Sequence, residues 1–272
     1  MSMKKIAFIG GGNMGKSIIG GMIKNNYSNE LIYVATPFET EVYALKETFK
    51  VNVDTSNINI VNECDVVVFA VKPQVSNDVF TELKKANIDF SNKLIITIMA
   101  GVKTEKIAAN LKNAEKIIRV MPNTPALIGE GLTGMYKGAN CNDDDVEVAN
   151  CILGSCSKTV WVEKEEDIDS ITAISGSAPA YFYLFMECLI NKAKEYNFDE
   201  ATARKIIEQV AIGSAKMVIQ NSDTSIAQLR ENVTSKGGTT YEALKVFNEC
   251  DINGIISKAL DACKNRAEEL SK

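Results

Sequence analysis

Two short glycine-rich stretches hold the residues best suited to chemistry: Gly10-Gly11-Gly12-Asn13-Met14-Gly15, and Gly237-Gly238-Thr239-Thr240 far downstream. The first matches G-x-G-x-x-G, directly after the apolar run IAFI and at the start of a helical pattern. In such a turn the first glycine allows the tight bend, the second lets a pyrophosphate approach the backbone, and the third lets helix pack on strand. The helix start then offers free N–H groups and partial positive charge to phosphates. A plain strand-to-helix turn is the competing reading, so the flanking strand and helix carry the nucleotide assignment. The second stretch breaks a helical pattern, where each glycine costs about 1 kcal/mol relative to alanine. Its free amides can hold an anion through charge-assisted bonds of about 1.5–3 kcal/mol. An ordinary Ser/Thr N-cap, worth about 1 kcal/mol, is the alternative use of the same residues.

There is no histidine in the 272 residues. That removes the commonest general acid/base and most zinc-site designs, and no metal site is expected. Chemistry must come from hydroxyls, carboxylates, lysines, backbone amides or a bound cofactor. A sheet that binds NAD usually offers Asp or Glu to the ribose 2′-hydroxyl about twenty residues after the glycine loop. Here the second strand ends Val34-Ala35-Thr36-Pro37, with no acid until Glu39. No carboxylate is then expected to repel a 2′-phosphate, and the Thr36 hydroxyl could donate to one. No arginine stands beside it, so NADP is favoured and NAD is not excluded.

These stretches need a scaffold. Short β-branched runs alternate with helical patterns over the first ~165 residues, as βαβ units do. Strands are expected near 4–9, 31–35, 65–71, 94–98, 117–121, 132–136 and 159–162, and helices over 13–25, 39–49, 76–86, 103–111 and 143–155. The unalternating run VVVFAV suits a central strand covered on both faces. Ligands of open α/β sheets gather outside the carboxyl ends of the strands. Those ends carry Pro37, Val71-Lys72-Pro73, Ala100-Gly101, Pro122 and Pro125, although Lys72 taken alone reads as a solvated surface lysine. All five prolines lie at or before Pro179, and 180–196, 199–221 and 252–270 have helical periodicity. The expected organisation is a doubly wound Rossmann-type domain over 1–164 and an all-helical domain over 165–272. The helical domain has enough apolar faces to complete its core against a second subunit.

Composition narrows the partners. A net charge of −5 with no basic stripe argues against nucleic acid. An apolar run such as Val66 to Val71 is far below the ~20 residues of a membrane span, and glycines interrupt any signal-like segment at the start. Seven cysteines at irregular spacing fit reduced thiols, so a cytoplasmic location is expected.

The chain resembles the pyrroline-5-carboxylate reductases along essentially its whole length. The resemblance rests on FIGGGNMG, AVKPQ (70–74), MAGV (99–102), RVMPNTPALIGEG (119–131), ITAISGSAPAY (171–181), AKM (215–217) and LRENVTSKGGTTYEAL (229–244). The first motif is common to many dehydrogenases; SGSAPAY and SKGGTT are much more specific. Two positions depart from the family pattern: Ala178 replaces a glycine and Lys236 a proline, and neither change removes a reacting group. The resemblance implies reduction of L-1-pyrroline-5-carboxylate to L-proline with NADPH or NADH, in a homodimer able to assemble further. It also implies cofactor contacts from Ile9 to Gly15, Thr36, Asn57, Val71, Lys72, Pro73 and Ala100, with Asn232 closing over the cofactor. Glu165, Gly237, Gly238, Thr239 and Thr240 would lie at the substrate, the Thr240 hydroxyl facing the imine nitrogen.

Such a reaction suits a chain without histidine. The nicotinamide supplies the hydride, and a protonated cyclic imine accepts it directly. The protein must align two ligands and exclude water, and positioning of that kind is worth about 7–11 kcal/mol.

Overall fold

The structure is a computed structural model, described here for residues 3–271. Eight strands form one sheet: β1 (Ile6–Ile9), β2 (Ile32–Ala35), β3 (Asn52–Asp54), β4 (Val66–Phe69), β5 (Leu94–Thr97), β6 (Ile117–Met121), β7 (Gly131–Lys137) and β8 (Ser157–Val162). Their order is β3-β2-β1-β4-β5-β6-β7-β8. Every pairing is parallel except β6 with β7. The order reverses between β1 and β4, where doubly wound folds place their ligand crevice.

Helices α1 (Asn13–Lys24), α2 (Glu39–Phe49), α3 (Asn57–Glu63), α4 (Ser76–Lys85), α5 (Thr104–Asn110) and α6 (Asp143–Leu153) connect the strands. Alternate residues of β1 supply two cores: Ile6 and Phe8 pack with Ile18 and Met22 of α1, while Ala7 and Ile9 pack with Phe80 and Leu83 of α4. Val66 to Phe69 of β4 are all buried, as expected for a central strand covered on both faces. Among these eight strands and six helices, two were not anticipated. Strand β3 has a single buried apolar residue, Val53, because it is an edge. Helix α3 (NINIVNE) is rich in asparagine, a poor helix former, and starts because the Ser56 hydroxyl accepts the Asn59 N–H at 3.2 Å.

The remaining helices are α7 (Asp167–Ile171), continued by a π-turn at Thr172–Gly176, then α8 (Ala178–Glu195), α9 (Glu200–Gln220), α10 (Ile226–Asn232), α11 (Thr239–Glu249) and α12 (Ile252–Leu270). Ala178 starts α8 without a positive φ, so its methyl group brings no backbone strain. The chain groups into two compact units, residues 1–177 with 263–272 and residues 178–262. Residues 165–177 thus group with the sheet and with the end of α12, α7 lying against β6 and β7.

The packing of α7 has an electrostatic centre. Arg119 on β6 is 2% exposed, and its guanidinium donates to Asp169 of α7 at 2.7 Å and to Glu165 at 3.5 Å. The Ser271 hydroxyl also donates to Asp169, at 3.3 Å. In the helical unit Ala203 is the one fully buried apolar side chain, and Phe182 (66%), Ile212 (52%) and Val246 (57%) are exposed.

Burial pushes the thiols of Cys64 and Cys141 up to about 12 and about 11, while Cys151 on α6 is exposed. Replacing Arg119 with methionine leaves two carboxylates in apolar surroundings without their cation. Arg119→Met is expected to destabilise the sheet unit by about 3–5 kcal/mol in urea unfolding. A loss below ~1 kcal/mol would show that the carboxylates find other partners.

Candidate active site

The glycine loop sits at the switch point. Gly10 has φ +109°, and a Cβ there would stand 2.7 Å from the Ala70 carbonyl oxygen and 3.1 Å from Val71 Cγ1. Both the conformation and the approach to the end of β4 therefore require glycine. At Gly15 a Cβ would meet the Gly10 carbonyl at 2.9 Å, so the helix start and the loop touch directly. Gly12 differs, since a Cβ there would meet nothing within 4 Å. Gly12 is also the N-cap of α1, with no side chain capping the helix. The first intrahelical bond is Lys16 N–H to the Gly12 carbonyl, at 2.9 Å. The amides of Asn13, Met14 and Gly15 precede that bond, the donor set a pyrophosphate requires, and the space over Gly12 fits such a group. Asn13 is exposed, and Met14 packs on the core below.

Thr36 follows β2 and is 1% exposed. A Cβ on Gly11 would lie 3.7 Å from Thr36 Cβ, which places this threonine against the loop. Its hydroxyl donates to the Glu41 carboxylate at 2.5 Å. The expectation that no carboxylate stands at the end of β2 is thus corrected. A residue in the first turn of α2 reaches back to a position that strand-end spacing does not reveal.

The other nucleotide candidates lie around the same sheet edge. Val71, Lys72 and Pro73 follow β4, Val71 against Gly10 and Lys72 exposed at the start of a 3₁₀ turn. Ala100 lies in the turn between β5 and α5. Asn57 opens α3, and its side-chain amide donates to Glu82 of α4 at 2.7 Å, so it ties two helices together. Asn232 belongs to the helical unit, at the end of α10, where its side-chain oxygen accepts from Gln228 at 3.0 Å.

Glu165 lies in the sheet unit, apart from the Gly237–Thr240 stretch in sequence and in unit. Its carboxylate takes the Thr104 backbone N–H at 2.8 Å, the Thr104 hydroxyl at 2.8 Å and the Arg119 guanidinium. Thr104 is the first residue of α5, and the N-cap Lys103 provides no side-chain cap. Glu165 therefore caps α5 from outside. The buried partner Arg119 was not singled out from the sequence. An arginine within an apolar strand was the available signal.

In the helical unit Gly237 has φ +72°, a left-handed turn that glycine adopts without strain. The N-cap of α11 is Gly238, with no side-chain cap bond, and Thr239 and Thr240 are the first two helical residues. The threonines do not cap the helix. Both are exposed, with hydroxyls beside uncapped amides, as anion binding at a helix start requires. Lys236 is exposed within this turn, which the Gly238 N–H closes on the Ser235 carbonyl at 2.9 Å.

A doubly wound sheet with an open glycine loop at its switch point is the scaffold of a nicotinamide-dependent oxidoreductase. A family model described as "NADP oxidoreductase coenzyme F420-dependent" matches residues 5–101, and one described as "Pyrroline-5-carboxylate reductase dimerisation" matches residues 165–270. The chain is 42% identical to the pyrroline-5-carboxylate reductase of Vibrio alginolyticus, over 100% of its own length and 99% of that protein. A solved pyrroline-5-carboxylate reductase from Coxiella burnetii superposes with a TM-score of 0.92 at 37% identity, both chains being fully covered. That of Plasmodium falciparum, solved with NADP bound, gives 0.87 at 31% identity, again with full coverage of both. The chain belongs to the pyrroline-5-carboxylate reductase family. The helical run Asp167–Glu195 is long and apolar enough by composition to cross a membrane, and it falls within the region matched by the dimerisation model.

The two glycines of the loop give separable expectations. Gly12→Ala should leave the thermal midpoint unchanged yet weaken nucleotide binding at least tenfold, because its methyl enters only the ligand's space. Gly10→Ala should lower both, because its methyl meets the Ala70 carbonyl. Isothermal titration with NADPH and NADH, beside thermal melts, separates the two. Equal nucleotide affinity in Gly12→Ala and wild type would remove the loop from the pyrophosphate site.

Proposed function

We propose that this chain reduces L-1-pyrroline-5-carboxylate to L-proline, with NADPH as donor and NADH accepted alongside it. The observation that carries the reading is the uncapped start of α11. The Gly238 N-cap leaves the Thr239 and Thr240 amides and hydroxyls available in a turn that the dimerisation model includes. When bound, the nicotinamide supplies a hydride, and the imine carbon of the protonated substrate receives it as the C=N bond becomes C–N. The residues of the chain orient and hold. The α1 amides and the glycine loop fix the pyrophosphate, with Val71, Lys72, Pro73 and Ala100 along the same edge and Asn57 bracing α3 against α4. The Gly237–Thr240 turn receives the substrate carboxylate, and the Thr240 hydroxyl donates to, or accepts from, the ring nitrogen. Glu165 acts as a positioning residue through Thr104 and Arg119, and Asn232 closes over the cofactor. The division of labour follows residues 1–164 for the nucleotide and 165–272 for substrate and dimerisation.

A second copy of the chain is proposed as the cover for the exposed apolar residues of the helical unit, giving a homodimer that can assemble further. Apolar surface on that scale is uncommon on a lone subunit. Cytoplasmic location is part of the same reading.

Steady-state oxidation of each nucleotide with pyrroline-5-carboxylate is the direct test, and activity with neither nucleotide would refute the assignment. Thr240→Val should reduce kcat/KM by about ten- to a hundredfold while nucleotide affinity stays within twofold. Unaltered kcat/KM would leave that hydroxyl without a role at the substrate. Sedimentation should give a mass at least twice that of the chain, and a monomer at micromolar concentration would end the dimer proposal.

A further inference from the structure

The contact between Thr36 and Glu41 bears on which nucleotide the protein holds. Where dinucleotide-binding sheets prefer NAD, a carboxylate at the end of the second strand accepts a bond from the ribose 2′-hydroxyl. Here that strand ends in a threonine, whose buried hydroxyl is already donated to Glu41. Glu41 lies in the first turn of α2, where the helix dipole favours a negative charge. Only one of its oxygens, Oε2, takes the Thr36 bond, and among the described residues Glu41 joins no ion pair. The location is fixed by Gly11, whose absent Cβ would lie 3.7 Å from Thr36 and 2.9 Å from Leu45 of the same α2. A carboxylate with a spare oxygen therefore stands beside the glycine loop.

We infer that Glu41, held by the buried Thr36 hydroxyl, is a specificity-setting residue that accepts the ribose 2′-hydroxyl of NADH and disfavours the 2′-phosphate of NADPH. This rests on the reductase reading above and reverses its order of donors, placing NADH ahead of NADPH. A 2′-hydroxyl brings a proton to the spare oxygen. A 2′-phosphate brings about two negative charges and no such donor. It also competes for the one hydroxyl, that of Thr36, that could otherwise serve it. Thr36 is then no longer an independent phosphate ligand, and its reach toward the nucleotide depends on the charge of its partner. A purely structural role for Glu41, as a helix-dipole acid, would alter stability without changing the ratio of the two nucleotides.

The test uses binding first and turnover second. The dissociation constants of NADPH and NADH for the full-length protein are measured without substrate, at low and high salt. In the wild type, raising the ionic strength should improve NADPH binding relative to NADH, because it screens repulsion between Glu41 and the phosphate. Glu41→Gln, which keeps shape and hydrogen bonding, should shift the ratio toward NADPH by about tenfold or more and flatten its salt response. Glu41→Lys should shift it further. A wild-type ratio that moves toward NADH with salt would overturn the inference even if both variants fail to fold. So would an unchanged ratio in a folded Glu41→Gln. Oxidation of both nucleotides by pyrroline-5-carboxylate with a ratio insensitive to Glu41 removes the inference alone. A Glu41-dependent ratio without turnover removes only the assigned reaction.

Discussion

The close approach of the Gly10 backbone to the Ala70 carbonyl, at the point where the strand order reverses, is the constraint on which the site depends. It brings the ends of β1 and β4 together with no side chain between them, and so aims the start of α1 outward. The amides of that helix start are free because Gly12 caps without a side chain. Parallel pairing of β1 with both β2 and β4 adds Thr36 and Val71 to the same edge. One glycine thus converts a packing rule for strands and helices into an open helix start, the proposed pyrophosphate site.

A chain without histidine must arrange its electrostatics from other groups, and the structure uses three. Helix-start amides supply positive potential at α1 and at α11. The buried Arg119 neutralises Asp169 and Glu165, which lets an acidic segment pack against β6 and β7 and lets Glu165 cap α5. The Thr36–Glu41 pair places a negative charge beside the loop. The first two build the protein and leave helix-start amides open, whereas the third carries the proposed choice between the two nucleotides. Proton transfer by a side chain is not needed for hydride delivery to an iminium carbon, so the missing imidazole costs the reaction little.

Much of this was legible in the residues. Apolar runs bounded by glycine and proline located seven of the strands within a few positions, because a buried parallel strand leaves no room for polar residues. Strand β3 and helix α3 escaped because an edge strand with one buried valine and an asparagine-rich helix carry almost no periodic signal. At the second glycine turn, composition without the family resemblance favoured an ordinary Ser/Thr cap over anion binding. The structure separated them by making Gly238 the cap and setting both threonines inside the helix. Lys236 and Ala178, the two departures from the family pattern, fall where neither strains the backbone.

By itself the sequence determined the kind of sheet, the place of the nucleotide loop and the family, because these follow from local patterns that repeat with the period of strand or helix. The tertiary structure alone decided what each polar side chain faces. Glu41 lies five residues after Thr36, and Glu165 lies 61 residues after Thr104, yet each pair is hydrogen-bonded. Such partnerships arise when a helix turn or a neighbouring strand brings distant residues within hydrogen-bonding range. Burial then makes a lone charge costly enough that a partner must be found, and spacing along the chain does not encode which one.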